Sequence, residues 1–209
     1  MIIPGRALPA ILLAAALGAA GPTQAQDSFG GTRSSSPANQ APSTAQPQRQ
    51  VAPAPRQDTS PTAQAERQDL GVAPKRELHT GAMHGPTPSS IPGGQVITTQ
   101  GLMALVSGKQ APFLLLDILG GPQMIPGARL AVPAAQPGSF NDATQQQFGQ
   151  FLQQATQGNK EVALVLYCQS RECWMSYNAA LRAINLGYRN VLWYRGGIEA
   201  WQAAGQPLQ

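Results

Sequence analysis

The chain has 209 residues and carries 14 Lys and Arg against 10 Asp and Glu, a formal charge of +4. The basic residues are scattered rather than clustered, so the excess contributes to solubility and weak anion attraction and marks no nucleic-acid partner. There are only 2 cysteines. Both stand in one short stretch, at Cys168 and Cys173, which excludes a disulfide framework stapling distant segments and points to local chemistry.

The chain opens with the positive Arg6 and an almost wholly Ala, Leu and Ile run from Ala7 to Ala20. Gly21-Pro22-Thr23-Gln24-Ala25-Gln26 follows, with small residues at Thr23 and Ala25. That layout predicts a secretory signal over 1–25, cleaved after Ala25. The apolar run is shorter than the roughly 20 residues of a membrane span. An uncleaved anchor or a buried helix is the alternative reading. The processed protein is expected to be exported, periplasmic and without stable membrane insertion. Residues 26–82 are rich in Pro, Gln, Ser, Thr and Ala and poor in large apolar side chains. Such a segment buries too little apolar surface to offset its chain entropy, so a disordered tether is expected.

Order is expected from residue 83 to residue 209. Val96-Ile97-Thr98 reads as a short strand, and Thr99 or Gln100 starts a helix closed by Gly108. Phe113-Leu114-Leu115-Leu116-Asp117-Ile118 is a continuous apolar run with one carboxylate near its end, the pattern of a strand covered on both faces. Asn141 or Asp142 caps a helix with Phe148, Phe151, Leu152 and Ala155 on one face, stopped by Gly158-Asn159. Val162 to Tyr167 is a second buried strand. A helix from Met175 to Leu186 ends at Gly187, Val191 to Tyr194 is a third strand, and Gly196-Gly197 opens a last short helix. Alternating strands and helices predict one small α/β domain with a mostly parallel sheet flanked by helices.

In such sheets ligands collect at the carboxyl ends of the strands. Cys168 stands there, followed by Gln169, Ser170, Arg171, Glu172 and Cys173 and then by a helix start. A loop curled at a helix N-terminus presents backbone N–H groups and a positive dipole end, features that lower a thiol pKa and hold an anion. Arg171 would add charge-assisted hydrogen bonds, and Glu172 is expected to face solvent. The competing reading makes Cys168 a small core residue.

Tyr167-Cys168, Asn178-Ala179-Ala180, Leu186-Gly187-Tyr188 with Asn190-Val191, Gly196-Gly197-Ile198-Glu199-Ala200-Trp201 and Gly205-Gln206-Pro207-Leu208 resemble, in this order, the second half of a rhodanese domain. The strand ending at Asp117 and the segment Ile125-Pro126-Gly127-Ala128 resemble its first half. A narrower resemblance rests on Pro86-Thr87-Pro88, Ile91-Pro92-Gly93 and above all Cys173-Trp174-Met175-Ser176-Tyr177-Asn178-Ala179-Ala180. These look like the exported rhodanese-like proteins called PQQ-dependent catabolism-associated CXXCW motif proteins, associated with periplasmic quinoprotein alcohol oxidation.

The resemblance implies sulfur handling or thiol-redox chemistry, with Cys168 as nucleophile and persulfide carrier and Arg171 stabilising a small sulfur-containing anion or thiol. Several positions depart from the rhodanese pattern. Ile118-Leu119 follow Asp117, Met124 precedes Ile125, and four residues rather than two separate the cysteines. Cys173 is then a resolving thiol, a structural disulfide partner, a loop-packing thiol or, with Cys168, a metal ligand. Gln169, Ser170, Glu172, Trp174, Asp117 and Arg195 complete the candidate substrate-binding set, although a loop tie suits Asp117 and a surface ion pair suits Arg195 equally well. No cofactor and no metal are expected.

Competing chemistries fail on spacing. A phosphatase cradle wants Arg where Trp174 stands, a thioredoxin motif wants two residues between its cysteines, and structural zinc wants four ligands. The two histidines, His79 and His84, fall in or beside the expected tether, so a Cys-His protease has no base. A non-catalytic accessory protein of a periplasmic quinoprotein system is the alternative function.

Overall fold

In the computed structural model, residues 59–108 and 112–209 are described. Five strands form one sheet: β1 (Gln95–Val96), β2 (Phe113–Asp117), β3 (Arg129–Leu130), β4 (Ala163–Tyr167) and β5 (Val191–Tyr194). They lie in the order β1-β5-β4-β2-β3, and every pairing is parallel. Five α-helices accompany them: α1 (Pro61–Arg67), α2 (Thr99–Gly108), α3 (Ala143–Thr156), α4 (Trp174–Asn185) and α5 (Gly197–Ala203). A 3-10 turn spans Val132–Ala135.

The pleat divides the core in two. Leu164 and Leu166 of β4 point to the face covered by α3, α4 and the 3-10 turn, where Phe148, Leu152, Tyr177, Ala180 and Trp193 are buried. Val165 and Tyr167 point to the opposite face, against Leu102 of α2 and Ile198 and Trp201 of α5. This alternation explains why β2 and β4 read as unbroken apolar runs: both faces are buried.

Each helix expected from Thr99 onward is present. Asp142 caps α3, its carboxylate accepting from the Gln145 amide at 2.7 Å. The wholly buried Arg182 of α4 pairs with that carboxylate at 2.9 Å and also donates to the carbonyls of Gln136 and Ser139. The Arg182 hydrogen bond holds the Asp142 carboxyl well below the usual carboxylate range. The ordinary carboxyl titrates near 4, so the stability from this pairing is full above that pH and is lost as pH falls through the lower folded-state value. β3 and the 3-10 turn went unread in the sequence because two residues and four residues carry no measurable period.

The larger difference lies at the N-terminal side. The tether expected up to residue 82 does not extend over residues 59–82, which lie against the domain. Ser60 caps α1 by accepting from the Ala63 amide at 3.2 Å, and Pro61 begins the helix. Ala63 is fully buried and Leu78 nearly so. Glu66, 3% exposed, accepts from the Thr99 amide and hydroxyl, placing a carboxylate at the start of α2 where its dipole is positive. Docking through carbonyls and one carboxylate needs few apolar side chains, which is why composition alone suggested a tether. The expected signal segment and residues 26–58 lie outside the described residues. Among the described residues no helix is long and apolar enough to cross a membrane.

Candidate functional site: the cysteine loop and its cover

Cys168 follows the last residue of the central strand β4, and Cys173 is the residue that precedes α4. The two are joined by a disulfide with a Cα–Cα distance of 6.4 Å, and both are fully buried. Among the roles open to Cys173, the disulfide partner is the one realised here. The loop between them is anchored from below. Ile198 and Glu199, in the first turn of α5, donate their amides to the carbonyls of Cys168 and Gln169 at 2.9 and 3.0 Å. That approach requires Gly197, whose φ is +66° and where a Cβ would stand 2.5 Å from both carbonyl oxygens.

From above, the loop is covered by residues 75–88. The Trp174 amide donates to the Met83 carbonyl and the Gly85 amide to the Glu172 carbonyl, both at 2.8 Å, and His84 pairs with Cys173 as an antiparallel bridge. The Thr87 hydroxyl donates to the Arg171 carbonyl. The cover is held by α4 itself. His79 stacks on Trp174 with ring centroids 4.1 Å apart, and Lys75 lies over the same ring at 4.9 Å. The Tyr177 hydroxyl donates to the Lys75 carbonyl and accepts from the Lys75 amide, and burial pushes its phenol up. Asn178 pairs its amide group with both the N–H and the carbonyl of His79. The run Trp174 to Asn178 is thus largely a binding face for the segment that closes the loop.

The candidate residues separate into distinct places. Gln169, Ser170, Arg171 and Glu172 line an open cleft of about 540 Å³ together with His84, Gly85 and Glu199. Glu172 is exposed, as expected. The Arg171 guanidinium, expected to cradle an anion, instead donates to the Ala65 carbonyl at 3.0 Å and to the Gln68 side chain at 2.6 Å. Two backbone amides at the loop are engaged within the protein, that of Trp174 by the Met83 carbonyl and that of Glu172 by the Ser170 hydroxyl.

Arg195 directly follows β5 at the carboxyl edge of the sheet, but it is buried there and is not a surface ion pair. It is 1% exposed and donates to the Thr87 hydroxyl and to the carbonyls of Thr87, Glu66 and Gln68 at 2.7 to 3.1 Å. Burial lowers its pKa from the ordinary value. Asp117 is a loop tie: it accepts from the amides of Leu119 and Gly120 and from the Tyr167 hydroxyl, which in turn accepts from the Ile125 amide. Burial and the Asp117 carboxylate both push the Tyr167 phenol far up, keeping it a neutral donor. Trp174 walls the loop, but its ring is covered by His79 rather than open to a ligand.

Three neighbours of the cysteines were not among the sequence candidates. In the sequence His84 stands beside the expected tether, and Thr87 and Ser176 occur only within the quoted motifs. Ser176 lies with its hydroxyl 3.2 Å from Cys168 Sγ and 3.0 Å from Trp193 Nε1. Among the described residues no group of three or more His, Cys, Asp or Glu side chains is placed to hold a metal ion.

Residues 119–204 match the family model described as Rhodanese-like domain. No curated protein matches the chain. Similar solved structures include the BH2092 protein from Bacillus halodurans, 21% identical over 53% of this chain and 73% of that one, with a TM-score of 0.39. The rhodanese-like domain of the Alr3790 protein from Anabaena sp. is 18% identical over 57% of this chain and 80% of that one, with a TM-score of 0.38. A thiosulfate sulfurtransferase from Pseudomonas aeruginosa is 20% identical over 55% of this chain, with a TM-score of 0.42, and the match covers 20% of the Pseudomonas chain. The cysteine loop and the β4, α4, β5 and α5 elements around it all fall inside the residues that match the rhodanese-like family model.

Proposed function

We propose that this protein handles sulfur through a persulfide on Cys168 that Cys173 resolves to a disulfide. The observation that carries the reading is the bond between these two cysteines at the carboxyl end of the central strand of a rhodanese-like domain. In the reduced protein, the Cys168 thiolate attacks the outer sulfur of a thiosulfonate-type donor such as thiosulfate. The donor S–S bond breaks, sulfite leaves with the bonding pair, and Cys168 holds a persulfide. The Cys173 thiolate then attacks Cys168 Sγ, forms the disulfide and releases hydrosulfide. An external dithiol restores the two thiols and is itself oxidised to a disulfide. Segment 83–88 has to move aside for each external reactant, because Cys168 is fully buried beneath it.

The signal-like first residues support an exported, periplasmic setting, where a thiol pair cycling through a disulfide suits the surroundings. The run Cys173 to Ala180 supports kinship with the PQQ-associated CXXCW proteins. A second reading, a non-catalytic accessory of a periplasmic quinoprotein system, is favoured by one observation. Both arginines nearest the loop, Arg171 and Arg195, are occupied by the N-terminal segment rather than free for an anion.

The test is single-turnover sulfite release. Reduced full-length protein mixed with thiosulfate is expected to release about one equivalent of sulfite, and Cys168→Ser none. Absence of sulfite from the wild type, with the fold intact, would reject sulfur transfer from thiosulfate and favour the accessory reading.

A further inference from the structure

The Cys168 sulfur has one hydroxyl beside it, and the hydrogen-bond direction of that hydroxyl is settled by its other neighbour. Trp193 Nε1 is a donor only, so at 3.0 Å from Ser176 Oγ it must donate and the serine oxygen must accept. The serine proton is then directed away from the indole, toward the remaining partner, Cys168 Sγ at 3.2 Å. All three residues are buried, at 1% exposure or less, so water does not compete for these positions. The indole is itself fixed, with Tyr177 packed edge-on against it at 5.0 Å.

We infer that Trp193 and Ser176 form a donor relay aimed at Cys168, which makes Ser176 the positioning residue that holds the reduced Cys168 sulfur as the thiolate. The inference rests on the proposed use of Cys168 as nucleophile and adds the group that selects it over Cys173. A hydroxyl already polarised by an indole N–H is a better donor, and a hydrogen bond to the charged form favours that form. Among the described residues the Cys173 carbonyl oxygen, 3.4 Å from Sγ, opposes it by favouring the protonated thiol. The charged side chains on the surrounding elements have partners elsewhere: Arg171 on α1, Arg195 on the carbonyls of the cover and Glu199 on the Gln169 amide. Glu172 faces solvent, and His84 on the cover lines the outer cleft. Among the described side chains, the Ser176 hydroxyl is the donor placed on Cys168 Sγ, beside whatever the start of α4 contributes.

The experiment isolates one thiol. In a Cys173→Ser background Cys168 is the single cysteine of the chain, and thiolate absorbance near the ultraviolet edge, followed from acid to pH 9, reads its ionisation without any reagent reaching the buried sulfur. Adding Ser176→Ala is expected to raise the thiolate midpoint by about one pH unit, a tenfold loss in the thiolate-to-thiol ratio. Ser176→Thr is expected to restore most of it, and Trp193→Phe to raise it by a smaller amount. A purely structural serine would leave the midpoint unmoved on Ser176→Ala in a protein of unchanged far-ultraviolet spectrum, and that result would overturn the inference. Because no sulfur donor is present, the outcome is independent of whether thiosulfate is a substrate. A shifted midpoint without sulfite release would retain the relay and reject only the sulfur-transfer reading.

Discussion

Replacing Arg195 with Met is expected to release the N-terminal cover from the cysteine loop while the parallel sheet stays folded. Among the described residues the guanidinium is the only side chain that bonds both the α1 end of the N-terminal segment, at Glu66 and Gln68, and the cover, at Thr87. Methionine retains the apolar stem but leaves three carbonyls without this donor. Each buried acceptor left unpaired costs about 1–3 kcal/mol. The losses are not additive because the segment can rehydrate once it lifts, so a local cost of about 3–5 kcal/mol is a fair expectation. That shifts the cover's opening equilibrium by more than a hundredfold. Two readouts follow. Native-state proteolysis between residues 68 and 88 should accelerate strongly, and reduction of the Cys168–Cys173 disulfide by a small dithiol should quicken with it. Unchanged rates for both would mean that the stacking of His79 on Trp174 and the backbone bridge at Cys173 hold the cover without Arg195.

Gly197→Ala is expected to damage the loop from the opposite side. A non-glycine residue at φ +66° carries roughly 1–2 kcal/mol of backbone strain. The added methyl would also meet the Cys168 and Gln169 carbonyls at 2.5 Å, so one of the two backbones has to move. Moving it breaks the hydrogen bonds from Ile198 and Glu199 that seat the loop on α5. A total of about 3 kcal/mol or more is expected, read as a lowered midpoint in denaturant unfolding with the slope retained. Gly187→Ala is the control. Its φ of +85° imposes similar strain, but no atom lies within 4 Å of the added Cβ. It should therefore cost clearly less, and equal costs would show that backbone strain, not loop contact, dominates at Gly197.

The strands around the site were legible because burial on both faces leaves an unmistakable apolar run, as in Phe113 to Asp117 and Ala163 to Tyr167. The caps were legible where chemistry is local: Asp142 stands at the start of α3, and Gly197 opens α5. The position of Cys168 at the carboxyl end of a strand is legible because it directly follows the apolar run that ends at Tyr167. What stayed hidden depends on pairings far apart in the chain. His84 and Cys173 meet across 89 positions, and Arg195 reaches Glu66 across 129. No local pattern encodes such contacts, so Arg171 reads as an anion ligand and Arg195 as an anion ligand or a surface ion pair, while their partners are carbonyls, a hydroxyl and an amide of the N-terminal segment. The same blindness made a Gln- and Pro-rich stretch look like a tether. The clue that was available lay in α4, where Trp174, Tyr177 and Asn178 form a polar-aromatic run too elaborate for an ordinary core face.

The most direct test of persulfide chemistry on Cys168 is the intact mass of reduced Cys173→Ser protein after incubation with thiosulfate, with no acceptor thiol present. Without Cys173 to resolve it, the persulfide should persist. One sulfur atom should be gained on most molecules, reversed by a thiol reductant and absent when Cys168 is also replaced. The wild type, treated in the same way, should instead lose two hydrogens as its disulfide re-forms. No sulfur gain in Cys173→Ser, under conditions where its single thiol is shown to be reduced and reachable by a small alkylating agent, would contradict the account.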